Sequence, residues 1–259
     1  MAFASDPNDP TSPNYRKSIE KVVKDRWSLS VMTQAGRAMQ EFSETYVYYA
    51  ASATYLLDKG ALTFSADYIH PLDLDTANKD PWELGDPSLT YTSPLLFDFT
   101  VGKSKFNVSS RVTYLAPVSG ASRNANSFGM VAGTLNAVTS KGRFTFIAAP
   151  TLFLSYHRYE TADVFGYNRN NPVSLRLMGT VRAQVWKEIS ATLSGFVMNS
   201  WDYSGTARLM QGLSSNVIYQ INPQFSVLAF ASWRDRVITT NSLFDDDTVQ
   251  TGLGAIYMF

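Results

Sequence analysis

The sequence predicts an all-β chain closed into a single antiparallel transmembrane barrel of about twelve strands, ten and fourteen being the neighbouring even counts. Three observations predict it. Polarity alternates with a period of two through most of the chain. The alternating segments run about ten to fifteen residues, where globular strands run about five or six. The connections between them alternate between short and long.

Val173 to Trp186 shows the period most clearly. Val173, Leu175, Leu177, Gly179, Val181, Ala183 and Val185 are apolar or small, and Ser174, Arg176, Met178, Thr180, Arg182 and Gln184 lie between them. A strand places these two sets on opposite faces, whereas a helix would carry both arginines into the apolar stripe. The same alternation recurs from Lys105 to Ala116, from Phe144 to Tyr156 and from Val249 to Phe259. Segments are expected to begin near Trp27, Glu44, Ala61, Ser88, Lys105, Phe128, Arg143, Val173, Ser190, Ala207, Gln224 and Thr248. A strand of about nine to eleven tilted residues spans a bilayer. Pro94 and Pro150 interrupt two of the segments, and each predicts a bulge because proline donates no ladder hydrogen bond.

Tight connections at Asp58-Lys59-Gly60, Gly102-Lys103-Ser104, Ser140-Lys141-Gly142, Lys187-Glu188 and Asn222-Pro223 alternate with longer ones. Short periplasmic turns and longer extracellular loops are the outer-membrane pattern. The long connections carry acidic runs, Asp73 to Asp86 and Asp245 to Asp247, which read as solvated loops rather than metal sites. Outward aromatics eight residues apart, Phe106 with Tyr114 and Phe225 with Trp233, match two interfacial girdles around an apolar band. Trp27, Tyr114, Tyr156, Trp233, Tyr257 and Phe259 are the expected lipid-interface anchors. Closure follows because no strand edge can stay unpaired in lipid.

Composition narrows the function. The 259 residues include no cysteine, so disulfides, thiolate metal sites and cysteine nucleophiles are excluded. Lys+Arg equals Asp+Glu at 22 each, and no basic patch interleaved with aromatics points to nucleic acid. Residues 1–26 form a separate segment, a periplasmic tail or a plug, ahead of the barrel at 27–259. Met1-Ala2 with Asp6, Asn8 and Asp9 does not read as a secretory signal, so an exported chain is expected to have lost one.

The terminal strand ends on Phe259 with Tyr257 two before it. With the strand pattern over 27–259, this resembles the bacterial outer-membrane β-barrel superfamily, in which an aromatic carboxy terminus is read by the assembly machinery. The size resembles the small twelve-stranded, porin-like members. The resemblance implies a Gram-negative outer membrane, contact with its lipid and lipopolysaccharide, and a monomer.

For such a barrel the inward set decides function. Serines and threonines dominate it, among them Ser30, Thr63, Thr90, Ser109, Thr180 and Ser194; its charges are Asp67, Asp98, Arg111, Arg176, Arg182 and Arg234. The expectation is passive diffusion of small polar solutes, without enzymatic activity, metal or cofactor. The alternative is a structural or surface-interaction barrel with a filled lumen. Inward Phe153, Phe196, Met198, Met210 and Phe230 leave a minor reading of hydrophobic cargo, and His70 and His157 one of a loop-edge hydrolase.

Overall fold

The computed structural model describes residues 26–39, 45–71, 83–161, 170–237 and 249–259. The chain runs β1 (Trp27–Met39), β2 (Thr45–Leu56), β3 (Ala61–Pro71), β4 (Glu83–Leu84), β5 (Ser88–Thr92), β6 (Phe97–Val101) and β7 (Ser104–Leu115). A five-residue helix α1 (Gly120–Asn124) follows. The chain continues as β8 (Ser127–Lys141), β9 (Phe144–His157), β10 (Val173–Gln184), β11 (Ile189–Trp201), β12 (Ala207–Gln220), β13 (Phe225–Val237) and β14 (Val249–Met258). Each strand pairs antiparallel with its neighbours, and β14 pairs with β1, closing the sheet. Segments 1–25, 40–44, 72–82, 162–169 and 238–248 lie outside the described residues, and with them the expected tail and the acidic runs at Asp73 and Asp245.

β4, β5 and β6 together fill the fourth position of a twelve-position barrel. β5 bridges β3 and β7, while β4 pairs with β3 and β6 with β7. Pro87 and Pro94 stand at the two breaks, where a missing N–H ends a ladder. The break at 93–96 stays sewn to β7: Ser110 N–H donates to Ser93 Oγ at 2.8 Å, and Leu96 N–H donates to Val108 O at 2.8 Å.

Pro150 behaves differently from expectation. Pairing with β8 lapses opposite it, at Leu135 and Asn136, and resumes at Ala137↔Ala148 in the same register. No bulge forms there, because the proline ring points outward and only one seam loses a hydrogen bond. The β8 bulge sits instead at Ser127/Gly129, where Gly129 takes a φ of 131°.

The register fixes the barrel's size. From Trp27 the paired residues lead through Tyr55, Leu62, Tyr91, Val112, Gly133, Leu152, Leu175, Asn199 and Leu209 to Val237. The offsets of the last two seams return to β1 sixteen residues beyond the start. With strands about 4.8 Å apart and residues about 3.3 Å apart, twelve strands with that stagger close at about 43° of tilt and a backbone radius of about 12 Å.

The apolar set faces out. Leu135, Leu152, Leu175, Leu177, Leu193, Val217 and Leu253 are exposed, so no second sheet packs on them. That arrangement suits a lipid solvent and would cost a water-soluble protein heavily.

Candidate functional site: the lumen wall

The inward face is built by the same parity. Along β10, Ser174, Arg176, Met178, Thr180, Arg182 and Gln184 turn away from the exposed set. Following register across each seam assigns every other strand.

Hydroxyls on this face bond across the seams. Ser30–Ser52 meet at 2.7 Å, Thr54–Thr63 at 2.9 Å, Thr90–Thr113 at 2.9 Å, Thr134–Thr151 at 3.0 Å, Ser174–Ser200 at 2.8 Å and Thr180–Ser194 at 2.9 Å. Such pairs satisfy hydroxyls sideways, within the wall, and leave a polar surface without charge.

The expected inward charges divide by place. Asp98 forms an ion pair with Lys105 across the β6–β7 seam, at the rim of short turns. Asp67 sits on β3 with its carboxylate packed over the Cα side of Gly85, where a Cβ would collide with it. Arg111 lies on β7, and Arg176 and Arg182 on β10. Arg234 holds an inward register on β13, opposite Gly212. Three cations at inward positions were missing from the expected set: Lys105 at the start of β7, Arg208 on β12, opposite Ser200, and Arg236, whose register on β13 is opposite Met210. Arg176 stacks over the Phe153 ring at 5.0 Å, which fixes its guanidinium against the wall.

Of the expected anchors, Trp27, Tyr114, Tyr156, Tyr257 and Phe259 are exposed on the outer face, and Trp233 shares that face by register with Leu213. Tyr257 and Phe259 meet edge-on at 4.5 Å, and Phe259 N–H donates to Leu29 O at 3.0 Å, so the terminus is tied to β1.

The rim of long loops is partly ordered. Asp86 accepts N–H donors from Val118 at 2.8 Å and Ser119 at 2.7 Å, and it also accepts the Ser122 hydroxyl. Ser119 Oγ accepts Ser122 N–H at 3.1 Å and so caps α1. Burial pushes the Asp86 carboxyl up, but the hydrogen bonds from Ser122, Ser119 and Val118 outweigh it and hold the group below its ordinary value. Asn170 ties two loops by donating to Ala125 O at 2.8 Å and Tyr159 O at 3.0 Å. His157 lies 3.4 Å from Tyr203 Oη. His70 pairs with Val47 on the outward set of β3. The two histidines therefore share no site.

The Asp86 linkage predicts an acid-sensitive loop. Because the folded pKa is depressed, its contribution is present above the ordinary carboxylate range of about 4. The contribution is lost as pH falls through the lowered folded value. Asp86→Asn is expected to weaken the loop by about 1–2 kcal/mol at neutral pH, the cost of replacing charge-assisted hydrogen bonds by neutral ones. Hydrogen exchange at the Val118 and Ser119 amides checks both, and unchanged protection in the variant would refute the linkage.

No family model matches this chain, and no curated protein matches it in sequence. Solved structures do share its fold. An outer-membrane channel from Pseudomonas putida F1 of the COG4313 group superposes with a TM-score of 0.64 at 12% identity, over 98% of this chain and 100% of its own. The NanC porin gives 0.58 at 8% identity, over 89% and 99%, and the KdgM porin gives 0.51 at 6%, also over 89% and 99%. The chain has the closed twelve-position antiparallel barrel of small outer-membrane porin-like channels, at sequence distances where only the fold is shared.

Proposed function

We propose that the protein is an outer-membrane channel for passive diffusion of small polar solutes. Short turns would face the periplasm, long loops the outside, and Phe259 the assembly machinery. The observation that carries this reading is the inward wall itself, a radius of about 12 Å lined by paired hydroxyls. Side chains of about 4–6 Å from opposite walls leave room for a solvated path rather than a packed core, in a barrel wider than the roughly eight strands whose interior side chains fill. Resemblance in fold to three channels supports it. A monomer suffices, since the described wall is closed without a second copy.

Planar-bilayer recording of the refolded protein, full length beside a form lacking residues 1–25, tests it. Steady steps in both are expected from an open channel. Steps only after truncation would make the leading segment a plug, and silence in both would favour a structural barrel with a filled lumen.

A further inference from the structure

The fourth barrel position leaves one edge open. β5 pairs on both sides, with β3 and β7, but among the described strands β6 pairs with β7 alone. β3 begins at Ala61, which already faces Thr92, so it does not descend beside β6. All five residues of β6, Phe97–Val101, are exposed. Register explains why. At the barrel's tilt the β6–β7 turn hangs about 7 Å below the β2–β3 and β8–β9 turns. β6 therefore runs from the level of Trp27 and Phe144 downward, out of the apolar band, and carries its open edge into water.

The hairpin decides which groups that edge presents. Val101 and Ser104 close a two-residue turn in which Gly102, at a φ of 60°, takes the first central position of a II′ turn. In such a hairpin Phe97, Phe99 and Val101 aim their backbone groups at β7, and Asp98 and Thr100 aim theirs at the open side. The Asp98 N–H meets its own carboxylate. The Asp98 C=O and the Thr100 N–H and C=O have no partner among the described residues.

Side chains choose the occupant. Phe97, Phe99 and Val101 form an exposed outward row, and Phe106 stacks on Phe99 with ring centroids 5.1 Å apart. A strand laid beside them would extend that row with apolar residues at alternate positions. Lys59 stands in the β2–β3 turn above the open position, where Tyr91 Oη donates to Lys59 O at 2.9 Å, and Lys103 stands in the turn below. The ion pairs of this rim, Arg26–Asp58 and Lys105–Asp98, leave both lysines unneutralised among the described residues. An acidic segment is their complement. A second copy of the chain does not fit. Pairing β6 with its own copy needs a two-fold axis across the sheet or along the strand, and either one upends or tips the second barrel in the membrane.

We infer that the β6 edge is a docking site for an extended, acidic segment of a periplasmic protein, which binds by adding a strand. The inference takes from the channel reading only that the short turns face the periplasm.

A fluorescent peptide that alternates Val with Thr and carries Glu at both ends tests it, titrated onto the full chain in lipid nanodiscs. A Lys-ended peptide and a backbone N-methylated one are the controls. Saturable binding of the Glu-ended peptide is expected, weaker for the Lys-ended one and absent for the N-methylated one. Thr100→Pro should weaken binding about tenfold by removing an edge N–H, and should keep the barrel, because that N–H bonds none of the described residues. Lys59→Glu with Lys103→Glu should weaken it about fivefold at low salt. Amide exchange at Thr100 should be fast in the free protein and slowed by the peptide. Slow exchange at Thr100 without peptide, equal binding of the N-methylated peptide, or no binding at all would overturn the inference. Nanodiscs leave both rims open, so binding is judged apart from conductance; a silent channel would remove the channel reading and leave the edge standing.

Discussion

Leu177→Arg is expected to lower the unfolding free energy by about 2–4 kcal/mol, the cost of a cation on the lipid face near the bilayer midplane. Leu177 is 58% exposed on the outward face, beside exposed Leu175 and Val197. It lies mid-strand on β10, between Pro150 and Val197 in the neighbouring strands. No aqueous rim is within reach of a snorkelling side chain there, so desolvation is borne almost in full. The next residue makes the experiment decisive. Met178 points inward, between Ala149 and Phe196. Met178→Arg should cost far less, because its charge meets the aqueous side of the wall. Urea titration of both variants refolded in lipid vesicles measures the pair. Equal costs would mean that the two faces see the same solvent, and the barrel would not be standing in a membrane.

That contrast depends on a one-residue parity, and parity was what the sequence displayed best. Expected strand starts at Trp27, Ala61, Ser88, Val173 and Ala207 coincide with the observed ones. Lipid enforces a largely apolar column on one side of the long strands, so each such segment announces its own register. Legibility fails where that column is short or where the answer lies across a seam. The fourth position is cut by Pro87 and Pro94 into pieces of two, five and five residues, too short for a period to show. Pro150 looked identical in sequence, yet its neighbours on β10 hold the register. Arg208 sits one residue into β12, beside a turn, and its face is set by pairing with Ser200 rather than by its own neighbours. That buried Ser109 and Asn136 face each other across the β7–β8 seam is a property of two strands at once, and no single-strand pattern reveals it.

The second large effect is expected at the closing seam. Gly252 on β14 pairs with Gly36 on β1 and with Phe230 on β13. Gly36 pairs in turn with Tyr46 on β2. Four inward positions in a row are thus aromatic, glycine, glycine, aromatic. A Cβ at Gly252 would fall 2.7 Å from the Gly36 Cα and 2.7 Å from the Phe230 ring, and closer still to the Ala35 carbonyl. One at Gly36 would fall 2.7 Å from the Tyr46 hydroxyl. The two rings lie over the bare backbone and shield it, which an alanine in either place would forbid. The seam joins the first strand to the last and pairs the most distant parts of the sequence, so its formation is the step that removes both edges. Gly252→Val must push the β1 carbonyl and the Phe230 ring away together. A cost of about 1–3 kcal/mol follows from overpacking alone. The displaced ring would project into the lumen, so single-channel conductance should fall with stability. Gly179→Ala is the control, since a Cβ there meets nothing within 4 Å. If Gly252→Val were as stable and as conductive as Gly179→Ala, the seam would not be closed by ring-over-glycine packing.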